Sequence, residues 1–197
     1  MKYAFRVLYT IIAWSALAAQ LWLMVDNPEN TTLDGVIRFF SFFTLLSNLL
    51  AALVMTASLT QAKWPHNSAV RGSIVVYIAL VAIVYHAVLA HLLDLAGLAM
   101  AADIALHTVL PAMFILDWAL FSNKAGLRPR HAVIWLWFPI LYCAYSLVRG
   151  AATGWYPYPF LDPGTPVEYG TVAINIAVLV AMFLLAGLLV VWLRRTR

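Results

Sequence analysis

The chain has 197 residues, 64% of them hydrophobic and only 10% charged, where a soluble domain carries about 25% charged residues. That much apolar surface cannot hide in a core of this size, so a water-soluble globule is excluded and lipid must solvate much of the fold. The net charge of +4 is therefore read as loop asymmetry in a membrane protein rather than as a sign of nucleic-acid binding, and the lone Cys143 excludes both a disulfide framework and a cysteine zinc site.

A spanning helix needs about 20 mostly apolar residues. Six segments meet that need, at 3–25, 36–59, 72–93, 101–121, 133–148 and 169–193. They predict an all-α polytopic protein, a single six-helix transmembrane domain over 1–197. In the first segment "SALAAQ" resembles a signal-peptidase site, but the apolar run continues through "LWLMV", so a retained helix is expected. The linkers "DNPENTTLDG", "QAKWPHNSAVRG" and "SNKAGLRPRH" are rich in turn formers. The longest, "GAATGWYPYPFLDPGTPVEYG", carries aromatics and prolines that suit either a rigid interfacial cap or a simple aromatic belt.

Charge sets the orientation. Lys2, Arg6, Lys63, Arg71, Lys124, Arg128, Arg130, Arg194, Arg195 and Arg197 fall on one side of a six-span arrangement. Asp26, Glu29, Asp34, Asp94, Asp103, Asp162 and Glu168 fall on the other. Basic loops stay in the cytoplasm, which predicts both termini inside. Arg38 and Arg149 break the pattern at span ends, where they can snorkel.

Polar groups within the spans come next. In "RFFSFFTLLSNLL", Ser41, Thr44 and Ser47 are three apart and Asn48 is four beyond Thr44, so they share one face of a continuous helix. Such a stripe points into the bundle; taken alone it reads as interhelical glue. The third span carries His86 and His91, and "ADIALHTVLPAMFILDWALF" carries Asp103, His107, Pro111 and Asp117. Ionisable groups at such positions are candidate functional groups. Asp103 is one turn before His107 and can hold one ring nitrogen, leaving the other as a base. Pro111 has no N–H, so in a regular helix the carbonyl of His107 loses its partner, which suggests a bend and a polar cavity there. His107 lies two turns into the 101–121 segment, about 9 Å at 1.5 Å per residue, and Thr44 two turns into its own, so the two are expected to face each other. His86 and His107 on facing helices can serve as axial haem ligands. A second such pair, an HExxH motif and a lysine within a span are all lacking in the sequence, so neither a cofactor nor a metal is expected.

At these residues the chain resembles the androgen-induced protein and ADTRP family, multi-span proteins whose studied members hydrolyse fatty acid esters of hydroxy fatty acids. The resemblance runs through "FFTLLSN" at Thr44, "LHTVLPAMFILDW" at His107 and "YPYPFLD" up to Asp162. It implies an intramembrane threonine hydrolase with Thr44 as nucleophile and His107 as its partner, acting on a lipid ester in the bilayer. The short loops suit a compact bacterial-like member in the inner membrane. Asp103 departs from the family pattern, so its supporting role rests on its spacing from His107. Asn48, His86 and Asn175 are further supporting candidates; Ser41, Ser47, Pro111, Tyr158 and Phe160 are candidates for the substrate pocket. The alternative is a non-enzymatic lipid- or sterol-binding protein whose polar layer serves packing.

The orientation is directly testable. A reporter fused after Arg197 should behave as cytoplasmic; a periplasmic signal would invert the arrangement.

Overall fold

The computed structural model describes residues 1–29, 31–164 and 168–196, with the backbone alone for 195 and 196. Arg197 and the side chain of Arg195, counted above among the basic end groups, lie outside the described residues. Among those described the chain is all-α. Five helices are long and apolar enough to cross a membrane, six when one bent pair is taken as a single span. The protein is a polytopic membrane protein. It forms two compact units, residues 1–127 and 128–196.

The first unit opens with α1, Lys2–Val25, 24 residues without glycine or proline. Its buried face runs through Arg6, Tyr9, Ala13, Ala16 and Leu17. The two alanines keep that face narrow, as close packing of membrane helices requires. Next, α2 (Thr32–Phe39) begins at a capping box: the Thr31 hydroxyl oxygen accepts the Asp34 N–H at 3.1 Å, and the Asp34 carboxylate accepts the Thr31 N–H at 3.4 Å. A Cβ on Gly35 would lie 2.5 Å from the Met24 carbonyl oxygen, so only glycine lets α2 press against the end of α1.

The second predicted span is not continuous. α2 and α3 (Phe43–Ala57) meet at a 72° bend. The Ser41 hydroxyl donates to the Ile37 carbonyl at 2.7 Å, the oxygen that the Ser41 N–H would take in a continuing helix. That N–H goes to the Arg38 carbonyl instead, and Phe42 turns extended. Ser41 therefore sits at the break rather than on α3 with Thr44, Ser47 and Asn48.

Helix α4, Ser68–Val84, is capped by the Asn67 side chain, which accepts from the Ala69 and Val70 N–H groups. It widens into a π turn at Tyr85–Leu89. The next span runs unbroken over Gly97–Phe121: α5 (Gly97–Ile104), a π turn (Ala105–Val109) and α6 (Leu110–Phe121). It starts four residues before the predicted 101, which puts His107 about 15 Å from the helix start at 1.5 Å per residue, deeper than expected.

α1, α4 and α6 are tied by a buried ion triad at the end where α1 and α4 begin. Arg6 grips Asp117 with two hydrogen bonds, Nε to Oδ1 at 2.8 Å and Nη2 to Oδ2 at 3.0 Å. Arg71 donates from Nη2 to the same Oδ2. Its other donors reach Ser122 Oγ at 2.6 Å, Ser58 Oγ at 3.1 Å and the Pro65 carbonyl at 3.3 Å. All three charged side chains are at most 3% exposed.

In the second unit, α7 (Pro129–Ile134) and α8 (Trp137–Thr153) form one apolar run of 25 residues. The predicted 133–148 was short at both ends. Pro129 starts the helix where its missing N–H costs nothing, and Gly154, at φ +70°, ends it in the left-handed conformation. α9 spans Tyr169–Trp192. Gly187 lets α7 approach α9: a Cβ there would lie 3.0 Å from that of Ala132.

One carboxylate facing two guanidiniums makes the triad asymmetric. Asp117→Asn leaves two buried cations uncompensated and should cost about 3–5 kcal/mol. Arg6→Gln leaves the Arg71–Asp117 pair intact and should cost less. Thermal unfolding of the purified protein in detergent would rank the two variants.

Candidate functional site

The two π turns of the first unit build one polar layer. A π turn inserts an extra residue into a helix and interrupts its hydrogen-bond ladder, and such turns recur at functional sites. Here each presents a histidine, His86 in Tyr85–Leu89 and His107 in Ala105–Val109.

His107 is held on three sides. Its Nδ1 lies 3.0 Å from Asp103 Oδ1 and 3.1 Å from the Asp103 carbonyl oxygen. Its ring stacks on Tyr85, with centroids 3.8 Å apart and planes 14° from parallel. The Tyr85 hydroxyl in turn donates to Asp103 Oδ2. A closed set of three side chains thus fixes the imidazole: Asp103 holds Nδ1, Tyr85 holds the plane, and Tyr85 also holds Asp103. With Nδ1 committed as donor to the carboxylate, Nε2 is the nitrogen that carries the lone pair. Helical spacing pairs Asp103 with His107 but assigns Tyr85 no role. Its position beside His86 was visible; the stacking depends on the extra residue of each π turn, which no periodicity reveals.

Thr44 stands in the first turn of α3, 7% exposed, with Ser47 and Asn48 fully buried. The amide of Asn48 joins this helix to the His107 turn. Its Nδ2 donates to the Thr44 carbonyl at 2.9 Å and to the Leu106 carbonyl at 3.1 Å. The second bond has a definite cause. In the π turn the Leu110 N–H reaches back five residues to the Ala105 carbonyl. The Leu106 carbonyl is passed over, and Pro111, next in line, has no N–H to offer. The unpaired carbonyl expected from Pro111 at His107 is therefore found one residue earlier, at Leu106, where an asparagine on another helix satisfies it. Such a group is tolerated at membrane depth only when covered in this way. The helix accommodates Pro111 through the π turn and runs on as one span.

This bonding decides what Asn48 can do. Both amide hydrogens are engaged by backbone carbonyls, so none is left for an oxyanion. Two buried polar atoms beside it, Ser47 Oγ and Asn48 Oδ1, have no hydrogen-bond partner among the described residues. A native interior leaves few such atoms, and these two mark a place next to Thr44 with unfilled polar capacity.

His86 points elsewhere. Its Nε2 lies 3.0 Å from Thr108 Oγ1, and both residues are exposed at the surface of the unit. His91 is exposed in a short turn beyond. Tyr158, Phe160 and Asn175 belong to the second unit. There the Tyr158 and Phe160 rings stack 5.1 Å apart, and Asn175 Nδ2 donates to the Phe160 carbonyl at 2.9 Å, fastening the aromatic loop to α9. Asn175 is thus a loop anchor.

A scan against protein-family models and searches of curated proteins and of solved structures return no match for this chain.

The Asn48 clamp and the Pro111 gap are two halves of one arrangement. Asn48→Ala should cost about 1–3 kcal/mol by stripping the Leu106 carbonyl. In Asn48→Ala/Pro111→Ala the restored N–H lets the helix close its own ladder, so the double variant should be more stable than additivity predicts. A double-mutant cycle on thermal stability measures the coupling.

Proposed function

We propose that the protein is an intramembrane hydrolase of lipophilic esters, of the fatty acid ester of hydroxy fatty acid type, with Thr44 as nucleophile and His107 as general base. The observation that carries this reading is the way His107 is held: Nδ1 on Asp103, the ring against Tyr85, and Nε2 left as the basic nitrogen, on a turn that Asn48 ties to the helix carrying the buried Thr44. The resemblance of "FFTLLSN", "LHTVLP" and "YPYPFLD" to the androgen-induced protein family supports the same chemistry.

A threonine hydroxyl is a weak nucleophile until a base takes its proton. In this reaction Thr44 Oγ attacks the ester carbonyl carbon as its proton passes to His107 Nε2. The tetrahedral intermediate collapses with loss of the alcohol, which takes that proton, and an acyl-threonine remains. Water, deprotonated by His107, then releases the acid and restores the hydroxyl. Asp103 stabilises the imidazolium formed in each half-reaction, and Tyr85 keeps Asp103 in place. The unfilled polar capacity at Ser47 suits the ester end of the substrate, whose chains reach the site from the lipid. A bacterial inner membrane suits the short loops and the charge pattern.

A second reading, a lipid- or sterol-binding protein without catalysis, draws on Asn48 and Ser41, whose side-chain donors serve backbone carbonyls as packing groups do.

The two readings part on turnover. Thr44→Ala should abolish hydrolysis of lipophilic esters and labelling by a fluorophosphonate probe, with the fold retained. His107→Ala should lower turnover by about 10²–10⁴-fold, and combining the two should add little, because nucleophile and base act as one unit. Thr108→Ala, which removes the hydroxyl that meets His86, should leave both signals intact. A Thr44→Ala protein as active as wild type rejects the threonine mechanism; absence of labelling and turnover in wild type favours the binding protein.

A further inference from the structure

Arg149 stands apart from the segregation of charge, and the structure gives it an unusual setting. It lies in the last turn but one of α8, in the second unit. Among the described residues no carboxylate pairs with it. Its guanidinium carbon sits 4.6 Å from the centroid of the Trp155 ring. Its Nη1 is shielded from solvent and makes no hydrogen bond among the described residues. One turn earlier on the same face is Ser146, 1% exposed, whose Oγ is likewise buried and unpartnered.

Two buried donors a turn apart, one of them charged, are costly to leave unmet. An arginine at a helix end can ordinarily extend its head to water; here Nη1 is instead kept from it. The neighbouring side chains are aromatic. Besides Trp155, the Tyr156 ring packs on Gly150, where an added Cβ would fall 2.0 Å from it, so only glycine admits the ring. Tyr142, one turn before Ser146, is buried with its ring edge-on to Tyr158.

We infer that Arg149 and Ser146 form a binding site for the carboxylate of a fatty acid. A carboxylate offers two acceptor oxygens in one plane. The guanidinium fork matches that geometry, and a charge-assisted bond from Nη1 leaves the second oxygen for the serine hydroxyl. The group is compact, which suits two donors enclosed among packed rings, whereas a phosphodiester brings two further substituents on a tetrahedral centre. Aromatic neighbours suit the first methylenes of the chain, and the surrounding bilayer supplies the ligand. The site uses none of the residues of the His107 layer, and it is read by binding without turnover. A Thr44→Ala protein should therefore bind like wild type, and the failure of one reading leaves the other standing.

The test uses the purified protein in detergent, with tritiated oleate followed by scintillation proximity. Saturable oleate binding is expected, displaced by unlabelled oleate but not by oleyl alcohol or methyl oleate, which lack the charge. Arg149→Gln should weaken binding about tenfold or more, and Ser146→Ala about fivefold. Ser146→Ala also removes a hydroxyl that nothing satisfies, so its unliganded Tm should be equal to or above that of wild type. That variant decides the matter should Arg149→Gln fail to fold. Oleate binding that Ser146→Ala leaves unchanged, displacement by oleyl alcohol as effective as by oleate, or stronger competition by phosphatidylglycerol than by oleate would each overturn the assignment.

Discussion

Asp117 cannot lie in a membrane helix as a lone carboxylate, and the first unit is organised around that fact. Desolvating a carboxylate costs several kcal/mol even after relaxation. The cost is met by Arg6 and Arg71, each of which would be as costly alone. The three groups come from α1, α4 and α6, so none of these helices can shift or rotate without exposing a charge to hydrocarbon. Arg71 adds bonds to Ser58, Ser122 and the Pro65 carbonyl, which bring in the end of α3 and its turn. Hydrophobic burial alone discriminates poorly among helix packings in lipid, because the chains of the bilayer are as apolar as leucine. The triad supplies the discrimination.

The same rule, that every polar group in lipid must find a partner within the protein, shapes the candidate site. The π turn at Ala105–Val109 sets His107 against Tyr85, and it leaves the Leu106 carbonyl uncovered. Asn48 covers it from α3. A local distortion useful for aiming a side chain is thus held in place by a residue on another helix, one turn after Thr44, whose carbonyl takes the other amide hydrogen. What looks in the sequence like a polar stripe becomes a division of labour. Ser41 breaks the span, Asn48 clamps the neighbouring helix, and Ser47 keeps a buried hydroxyl with no partner among the described residues.

Three features were legible in the sequence because each depends on local order alone. The all-α, multi-span class follows from the length and apolarity of the segments, since lipid admits only helices or closed barrels. The inward position of Ser41, Thr44, Ser47 and Asn48 follows from the cost of exposing them to hydrocarbon, and all four are buried. The contact of Asp103 with His107 follows from their four-residue spacing on a helix. The capping box Thr31–Asp34 was equally local, and it explains why α2 starts before the predicted 36.

Tertiary structure alone decided the rest, for two physical reasons. Helix period is an average, and a single inserted residue, as in each π turn, shifts every later side chain by about 100° at 3.6 residues per turn; the stacking of Tyr85 on His107 and the displacement of the orphan carbonyl from His107 to Leu106 both follow from it. Pairings between distant residues are the second reason. Asp117 was visible as an ionisable group within a span, but Arg6 and Arg71 are 111 and 46 residues away from it, and nothing in the spacing of three such charges states that they will meet. The sequence by itself determined that these groups must be buried and paired; packing decided with what.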